Sequence, residues 1–230
     1  MRSTETHLTL GELDADGALV EAVERVHGDT RTDFLRKATI GGAALLGVLA
    51  LPPTGKAASA KDVDILNYAL TLEYLQAAFY TEAEQVRAIR GKARRAVEVV
   101  GAVERAHVAA FRDALGSAAV ARPTFNFRGV TEDQRRFLKT AVAFEDLAVA
   151  AYKGQAPRLD SAALLAVAVS IHSVEARHAA WMRYLFDIVP AANAFDEPLS
   201  RPEVTRIVAS TNFITASART ERKGTPRFTG

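Results

Sequence analysis

Glutamate and histidine recur in this chain at a spacing that suits metal binding. Glu104 is followed by His107, and Glu175 by His178, so the pattern Glu-x-x-His occurs twice. A separation of three residues puts both side chains on one face of a helix, where they can aim at a common point. Carboxylates can bridge two cations, and each imidazole can supply a terminal nitrogen ligand. The two pairs therefore predict ligands for two metal ions.

Two further glutamates lie in apolar stripes of their own. Glu73 has Leu70 and Ala77 at helical spacing, and Glu145 has Val149. Residues at such spacing share a helix face, so both carboxylates should point into a core. Four carboxylates buried together need a compensating cation or protonation. With the two histidines they form the shell of a di-metal centre in a four-helix bundle. The six predicted ligands are Glu73, Glu104, His107, Glu145, Glu175 and His178.

Other interpretations of these residues stay open. The alternative to a metal centre is a polar core of protonated or hydrogen-bonded side chains without metal. His172, one turn before Glu175, is either a donor beside the site or a histidine satisfied in the core. Tyr80, Tyr152 and Trp181 are either redox-active side chains near the metals or core aromatics, which is the commoner role.

Four long segments must position these ligands. Apolar residues recur with a helical period in each segment, which predicts four α-helices with one glutamate ligand apiece. The segment 117–130 interrupts the helical period with Pro123 and Gly129. A connection of about 14 residues can extend over roughly 45 Å, which is the length of a long helix. We therefore expect two antiparallel hairpins joined by one long crossover, with the second hairpin starting parallel to helix two. The predicted helices span 63–89, 92–115, 131–154 and 161–189.

Capping signals mark the ends of these helices. We expect Asp62 to cap the first helix and Gly91 to stop it. Thr131 and Gln134 have the spacing of a capping box at the start of the third helix. A second box, Ser200 with Glu203, predicts a short extra helix that ends near residue 210. Glu82, opposite the apolar stripe of the first helix, should be solvated.

The heights of the ligands along the second hairpin do not match at first sight. At about 1.5 Å per residue, Glu145 lies roughly two turns closer to Gly154 than Glu175 lies to Ser161. The loop between the third and fourth helices must absorb this difference if both glutamates are to reach one site.

The first sixty residues have the features of an export leader. The basic stretch 31–37 precedes an uncharged run, 38–51, which is too short to span a bilayer but suits an export signal. Residues 58–60, Ala-Ser-Ala, offer a cleavage site. The basic stretch resembles a twin-arginine signal with Thr32 in place of the second arginine. We expect export to the periplasm or cell envelope without a stable transmembrane span; the alternative is an uncleaved leader that packs on the protein or anchors it.

Composition limits the architecture and the partners. The 230 residues are 49% apolar, which suits one substantial core. A formal net charge of +2 argues against nucleic-acid binding, and the lack of cysteine excludes disulfides and thiolate metal sites. We expect a bundle domain at 61–190 between an N-terminal extension, 1–60, and a C-terminal extension, 191–230. The tail from Arg219 should be disordered.

Five stretches of the chain resemble the bacterial ferritin-like proteins that are grouped as desiccation-related. The resemblance implies an all-α, ferritin-like four-helix bundle, export from the cytoplasm and a di-iron site on the six residues named above, but it implies no defined enzymology. Gln76 is a departure, since relatives often carry another glutamate at this position. The matching stretches are 65–80, 104–116, 144–152, 174–182 and 194–204.

Two functions are consistent with these features. In the first, two iron ions bound by the six residues react with dioxygen or peroxide; a di-manganese catalase would use the same shell. In the second, a non-enzymatic stress protein of the cell envelope sequesters metal or uses it to hold the bundle together. Iron storage in a cage ranks third, because nothing identifies a cage-forming surface. The sequence leaves room for a homo-oligomer.

Overall fold

A computed structural model of the chain describes residues 58–216. The predicted leader up to residue 57 and the tail from Arg219 lie outside the described residues. Four long helices form a bundle and a fifth, short helix follows them, which confirms the predicted all-α bundle. The helices are α1 (Ala60–Val86), α2 (Gly91–Leu115), α3 (Gln134–Gln155), α4 (Ala162–Leu185) and α5 (Arg201–Ser210).

The predicted ends of α1 are wrong at both termini. Ser59 is the N-cap, and its hydroxyl oxygen accepts from the N–H of Asp62, which lies in the first turn. At the other end Arg87 adopts a left-handed conformation, and its N–H donates to the Ala83 carbonyl. Because Arg87 already terminates the helix, Gly91 does not stop α1 but begins α2.

The start of α3 also differs from the predicted capping box. Asp133 is the N-cap, and its carboxylate accepts from the N–H of Arg136 at 2.8 Å. Thr131 is fully buried in a preceding 3-10 turn, and its hydroxyl donates to Glu82 at 2.6 Å. Glu82 is therefore half-buried and not solvated, because the crossover packs under the end of α1.

The connection between α2 and α3 is held on the bundle surface. The amide of Asn67 donates to the Ala118 carbonyl and accepts from the N–H of Val120, at 2.9 and 2.8 Å. Further along, the strand β1 (Thr124–Phe125) pairs antiparallel with β2 (Ile214–Ala216). The sequence pattern did not predict this two-stranded sheet, since each strand is too short to show a period.

Contacts at the helix ends confirm the long crossover. The N–H of Arg90, just before α2, donates to Gln134 at the start of α3, so both helices begin at one end of the bundle. Lys61 near the start of α1 pairs with Asp160 just before α4 at 2.6 Å, so these two begin at the other end. The two hairpins are therefore joined as predicted.

The segment after α4 returns along α3. Helix α4 ends at Leu185, four residues before the predicted end. The chain then reaches Leu199, whose N–H donates to the Ala150 carbonyl at 3.1 Å. The predicted short helix, α5, begins after Ser200, whose N–H and hydroxyl both donate to Glu203. Within residues 58–216, no helix combines the length and the apolar character that a bilayer span requires.

Two hydrophobic clusters fill the bundle on either side of its middle. One, the Phe79 cluster, contains the stacked rings of Phe79 and Phe137 and is continued by Phe127 from the crossover. The other, the Leu70 cluster, contains Leu70 and Phe111 among its buried residues. The layer between these clusters holds the buried carboxylates, so apolar packing encloses the site from both sides.

Candidate metal centre

All six predicted ligand residues meet in the middle of the bundle. The four glutamates have no exposed surface, and the two histidines are 8% and 5% exposed. Each helix contributes a glutamate from its inward stripe, and α2 and α4 add a histidine three residues later. The residues that converge are Glu73, Glu104, His107, Glu145, Glu175 and His178.

The apparent height mismatch in the second hairpin is absorbed by the turn after α3. Helix α3 continues to Gln155, and a 3-10 turn, Ala156–Arg158, extends it. At a rise of about 2 Å per residue this turn adds about 6 Å of descent before α4 begins. Glu145 and Glu175 can therefore face each other across the bundle.

The ligand atoms form two overlapping groups of four. Within each group one oxygen or nitrogen atom per residue lies within 4.8 Å of all the others. Glu104 and Glu175 belong to both groups. Carboxylates that serve two cations at once must be shared between two ligand groups in this way. The first group adds Glu73 and His107, and the second adds Glu145 and His178.

Both imidazoles turn the same nitrogen, Nδ1, towards the carboxylates. His107 Nδ1 lies 3.2 Å from Glu175 Oε1 and 3.3 Å from Glu73 Oε2. His178 Nδ1 lies 2.9 Å from Glu104 Oε1. Each histidine thus faces carboxylates from helices other than its own, and one nitrogen of each is available as a terminal ligand.

The residues present fit a pair of metal ions. Among residues 58–216, eight buried atoms of these six side chains make no well-aligned hydrogen bond, although they meet at short distances: six carboxylate oxygens and the two Nδ1 atoms. Buried polar atoms are normally satisfied, and leaving one without a partner costs about 1–3 kcal/mol. Cations bound among these atoms would satisfy all of them at once, since carboxylate and imidazole together suit divalent iron and manganese.

Two tyrosines orient the glutamates that are not shared. The hydroxyl of Tyr152 on α3 donates to Glu73 on α1, and the hydroxyl of Tyr80 on α1 donates to Glu145 on α3. Each tyrosine lies seven residues after the glutamate of its own helix, but its hydroxyl donates to the glutamate of the other helix. The sequence interpretation left these residues between redox and core roles and missed the hydrogen bonds. The repeated spacing Glu-x6-Tyr was the available signal.

Without cations the cluster retains protons. Burial raises the pKa of Glu73 to about 7. Burial, with the charge of Glu104 in support, raises the pKa of Glu175 well above its usual range. Burial also disfavours the charged form of His178, but the carboxylates that face it outweigh this effect and raise its pKa to about 10. Metal ions must therefore displace protons to bind here.

Other polar candidates lie outside the two groups. His172 is half-buried, and its Nε2 has no partner in the described part of the chain. Trp181 packs against the Phe79 cluster, which is a core role. Gln76 is 3% exposed, and its amide nitrogen also lacks a partner within residues 58–216. It lies one turn after Glu73 on α1, beside the carboxylate layer.

Comparison with known protein families agrees with this architecture. A family model described as "Ferritin-like domain" matches residues 61–187. No curated protein matches the chain. The narrower resemblance to desiccation-related proteins stays a prediction. Because the matched span covers more than half of the chain and takes in the four helices that carry the six residues, the protein belongs to the family of ferritin-like domains.

Proposed function

We propose that this protein is a di-iron carboxylate protein of the cell envelope that oxidises Fe(II) with dioxygen or hydrogen peroxide and thereby protects against oxidative stress. One observation carries the proposal: the two ligand groups overlap in Glu104 and Glu175 and differ in their remaining members. A single-metal site would need no second set of terminal ligands. The cell-envelope location rests on the predicted export signal alone.

Each residue has a definite part in this proposal. Glu104 and Glu175, which belong to both groups, would help to hold both ions, and the remaining glutamate and histidine of each group would hold one ion each. When bound, two Fe(II) ions supply two electrons, which with two protons reduce dioxygen to hydrogen peroxide or hydrogen peroxide to water. The buried site excludes bulk water, and Tyr80 and Tyr152 hold the terminal carboxylates in position.

A second candidate function is metal sequestration or structural support without turnover. The observation that favours it is the complete burial of all four carboxylates between two hydrophobic clusters. A site so enclosed suits an ion that stays in place and stabilises the fold. Manganese in place of iron is compatible with the same ligands.

The first experiment quantifies metal in the purified full-length chain after anaerobic loading with Fe(II). We expect about two irons per chain, one for each of the two ligand groups. Dioxygen or hydrogen peroxide is then added, and oxidation of the bound Fe(II) is followed. Repeated turnover supports the enzymatic proposal, whereas stable binding without oxidation supports sequestration.

Two variants are compared. The first is a double variant that combines Glu104→Ala with His107→Ala, and the second is the single variant His172→Ala, which is the control. The double variant removes one shared and one terminal ligand, so it should lose metal while its circular dichroism stays helical. His172→Ala should keep both metals because this residue lies outside the two groups. Full occupancy in the double variant would show that the ligand assignment is wrong.

A further inference from the structure

Two apolar cavities lie side by side in the bundle, next to the Leu70 cluster. The larger, the Tyr152 cavity, lies among α1, α2, α3 and α4, and about 30 Å³ of it is open to water-sized molecules. The smaller, the Ile171 cavity, lies among α1, α2 and α4 and offers about 20 Å³. Their common wall consists of the four residues that line both cavities: Leu66, Phe111, Leu164 and Val167.

The larger cavity adjoins a side chain that contacts the carboxylate layer, and the smaller cavity reaches the surface. The ring of Tyr152 lines the larger cavity, and its hydroxyl donates to Glu73. The smaller cavity is lined by buried Ile171, which lies one turn before Glu175 on α4. Another lining residue of this cavity, Ala114, is exposed. The pair of cavities therefore lies between solvent and the cluster.

The lining of both cavities is almost entirely apolar. No charged side chain within residues 58–216 lines either of them. One water needs about 10–15 Å³ of such space and two to four polar partners, and apolar cavities without these partners stay dry. A small apolar molecule fits such a space, whereas hydrogen peroxide would lose its hydrogen bonds to water on entering.

We infer that these two cavities admit dioxygen and hold it beside the carboxylate cluster, and that hydrogen peroxide does not use this route. The inference rests on the proposed function and deepens it, because it assigns one of the two oxidants to a place in the fold. Tyr152 lies between the larger cavity and a glutamate of the first ligand group, because its ring lines the cavity and its hydroxyl donates to Glu73.

Water is the competing occupant of the larger cavity. Tyr68 and Gln155 belong to its lining, and the Tyr68 hydroxyl and the Gln155 amide nitrogen are buried without a partner in the described part of the chain. Ordered water in the cavity could satisfy such polar atoms in place of the gas. The apolar lining favours the gas, and the experiment below separates the two occupants.

Xenon tests the cavities without any metal. Xenon is an apolar atom that binds dry cavities, so crystals of the metal-free full-length protein are pressurised with it. Ala168→Leu fills the Tyr152 cavity, and Ala110→Val fills the Ile171 cavity. Ala166→Leu is the matched control, because it makes the same change on the exposed face of α4. If the combined variant does not fold, the single variants are compared one by one.

The same variants are then loaded with Fe(II) and mixed with dioxygen or with hydrogen peroxide. We expect xenon in the wild type and in the control, and no xenon in the combined variant. Oxidation by dioxygen should slow about tenfold in the combined variant, which corresponds to about 1.4 kcal/mol of added barrier. Oxidation by peroxide should not change, and both irons should still bind.

Three outcomes overturn the inference while the proposed function stands. The first is ordered water in place of xenon in the wild type. The second is an unchanged rate with dioxygen in a variant that has lost xenon. The third is equal slowing with both oxidants, which indicates general damage to the site. Failure of the proposed function is recognised separately: a wild type that binds no iron, or whose Fe(II) dioxygen does not oxidise, overturns the oxygen route as well, whatever the xenon result.

Discussion

At the level of single residues, two tyrosine hydroxyl groups form reciprocal hydrogen bonds between α1 and α3, each to a glutamate of the other helix. Tyr152 donates to Glu73, and Tyr80 donates to Glu145. Both tyrosines are fully or almost fully buried, so water cannot replace these bonds easily. Each unshared glutamate thus accepts a tyrosine hydroxyl on one oxygen, and its other oxygen makes no hydrogen bond within residues 58–216. The tyrosines therefore act as positioning residues for the two terminal ligands.

Removing one hydroxyl should weaken one metal site more than the other. In Tyr152→Phe, Glu73 loses its partner, so we expect the affinity of the first ligand group to fall about 10- to 100-fold. Anaerobic titration with Co(II), followed by absorbance, resolves the two binding steps. Tyr74→Phe is the matched control, since its hydroxyl only reaches the Val120 carbonyl at 3.4 Å. Equal titration curves for the two variants would contradict the positioning role.

Metal affinity should rise with pH. Burial opposes the charged form of His107, but the charge of Glu73 and the facing carboxylates of Glu104 and Glu175 together outweigh it and raise the pKa of this imidazole well above its usual range. The pKa of His178 is raised in the same way. Because these groups hold protons in the metal-free protein and must lose them to bind a cation, higher pH favours the metal-bound form.

Isothermal titration calorimetry checks this prediction. Titrations at pH values from about 7.5 to 9, where an ordinary histidine has mostly lost its proton, should show metal affinity that still increases with pH. At one pH, two buffers with different ionisation enthalpies should give different apparent heats, because protons are released on binding. Identical heats in both buffers would mean that the cluster is already deprotonated.

At the level of elements, the C-terminal segment docks on α3 through a close backbone approach. A Cβ added at Gly154 would lie 2.0 Å from the Leu199 carbonyl oxygen, a separation that real atoms do not tolerate. The N–H of Leu199 donates to the Ala150 carbonyl one turn earlier. A glycine at this position therefore lets the segment leading into α5 lie directly against α3.

Gly154→Ala should weaken this docking. The added methyl group must push the Leu199 segment away, so we expect a loss of roughly 1–3 kcal/mol in the free energy of unfolding, as in overpacked cores. Urea denaturation of the metal-free protein measures the change. Lys153→Ala, at the adjacent position, adds no atoms against Leu199 and should change the free energy by less than about 0.5 kcal/mol. A similar effect for both variants would rule out the steric argument.

At the level of the whole molecule, the bundle encloses a polar layer between the Phe79 and Leu70 clusters. Four carboxylates in that layer carry a desolvation cost that protons or cations must offset. Metal binding to the folded chain alone therefore adds directly to its stability. In the proposed metal-bound state the fold and the centre would depend on each other, because the helices bring the ligands together and the ions would hold the helices.

Metal should raise the melting temperature of the wild type. A hundredfold excess of free metal over the dissociation constant adds about 2.7 kcal/mol, which for a domain of this size corresponds to roughly 5–10 °C. Differential scanning calorimetry with and without metal measures the shift. Glu104→Ala with His107→Ala should show no shift under the same conditions. A shift of equal size in that variant would place the stabilising metal elsewhere in the protein.

Local spacing was enough to predict the four helices and the six residues that meet in the bundle. The helical period and the Glu-x-x-His pairs relate neighbours along the chain, so they are readable without any knowledge of the fold. The long crossover was also predictable, since its length limits where the second hairpin can start. Export and the desiccation-related grouping stay predictions, because they depend on residues outside the described part or on resemblance alone.

Only the tertiary structure decided how these residues are arranged around one another. It determined that Glu104 and Glu175 are the shared carboxylates, and that Tyr80 and Tyr152 serve glutamates on the opposite helix. It also selected Asp133 over Thr131 as a cap, and it paired β1 with β2. The relative position of the residues in these contacts depends on how whole helices rotate and pack, or on the path of the crossover. The spacing of neighbouring residues along the chain determines neither the packing nor that path.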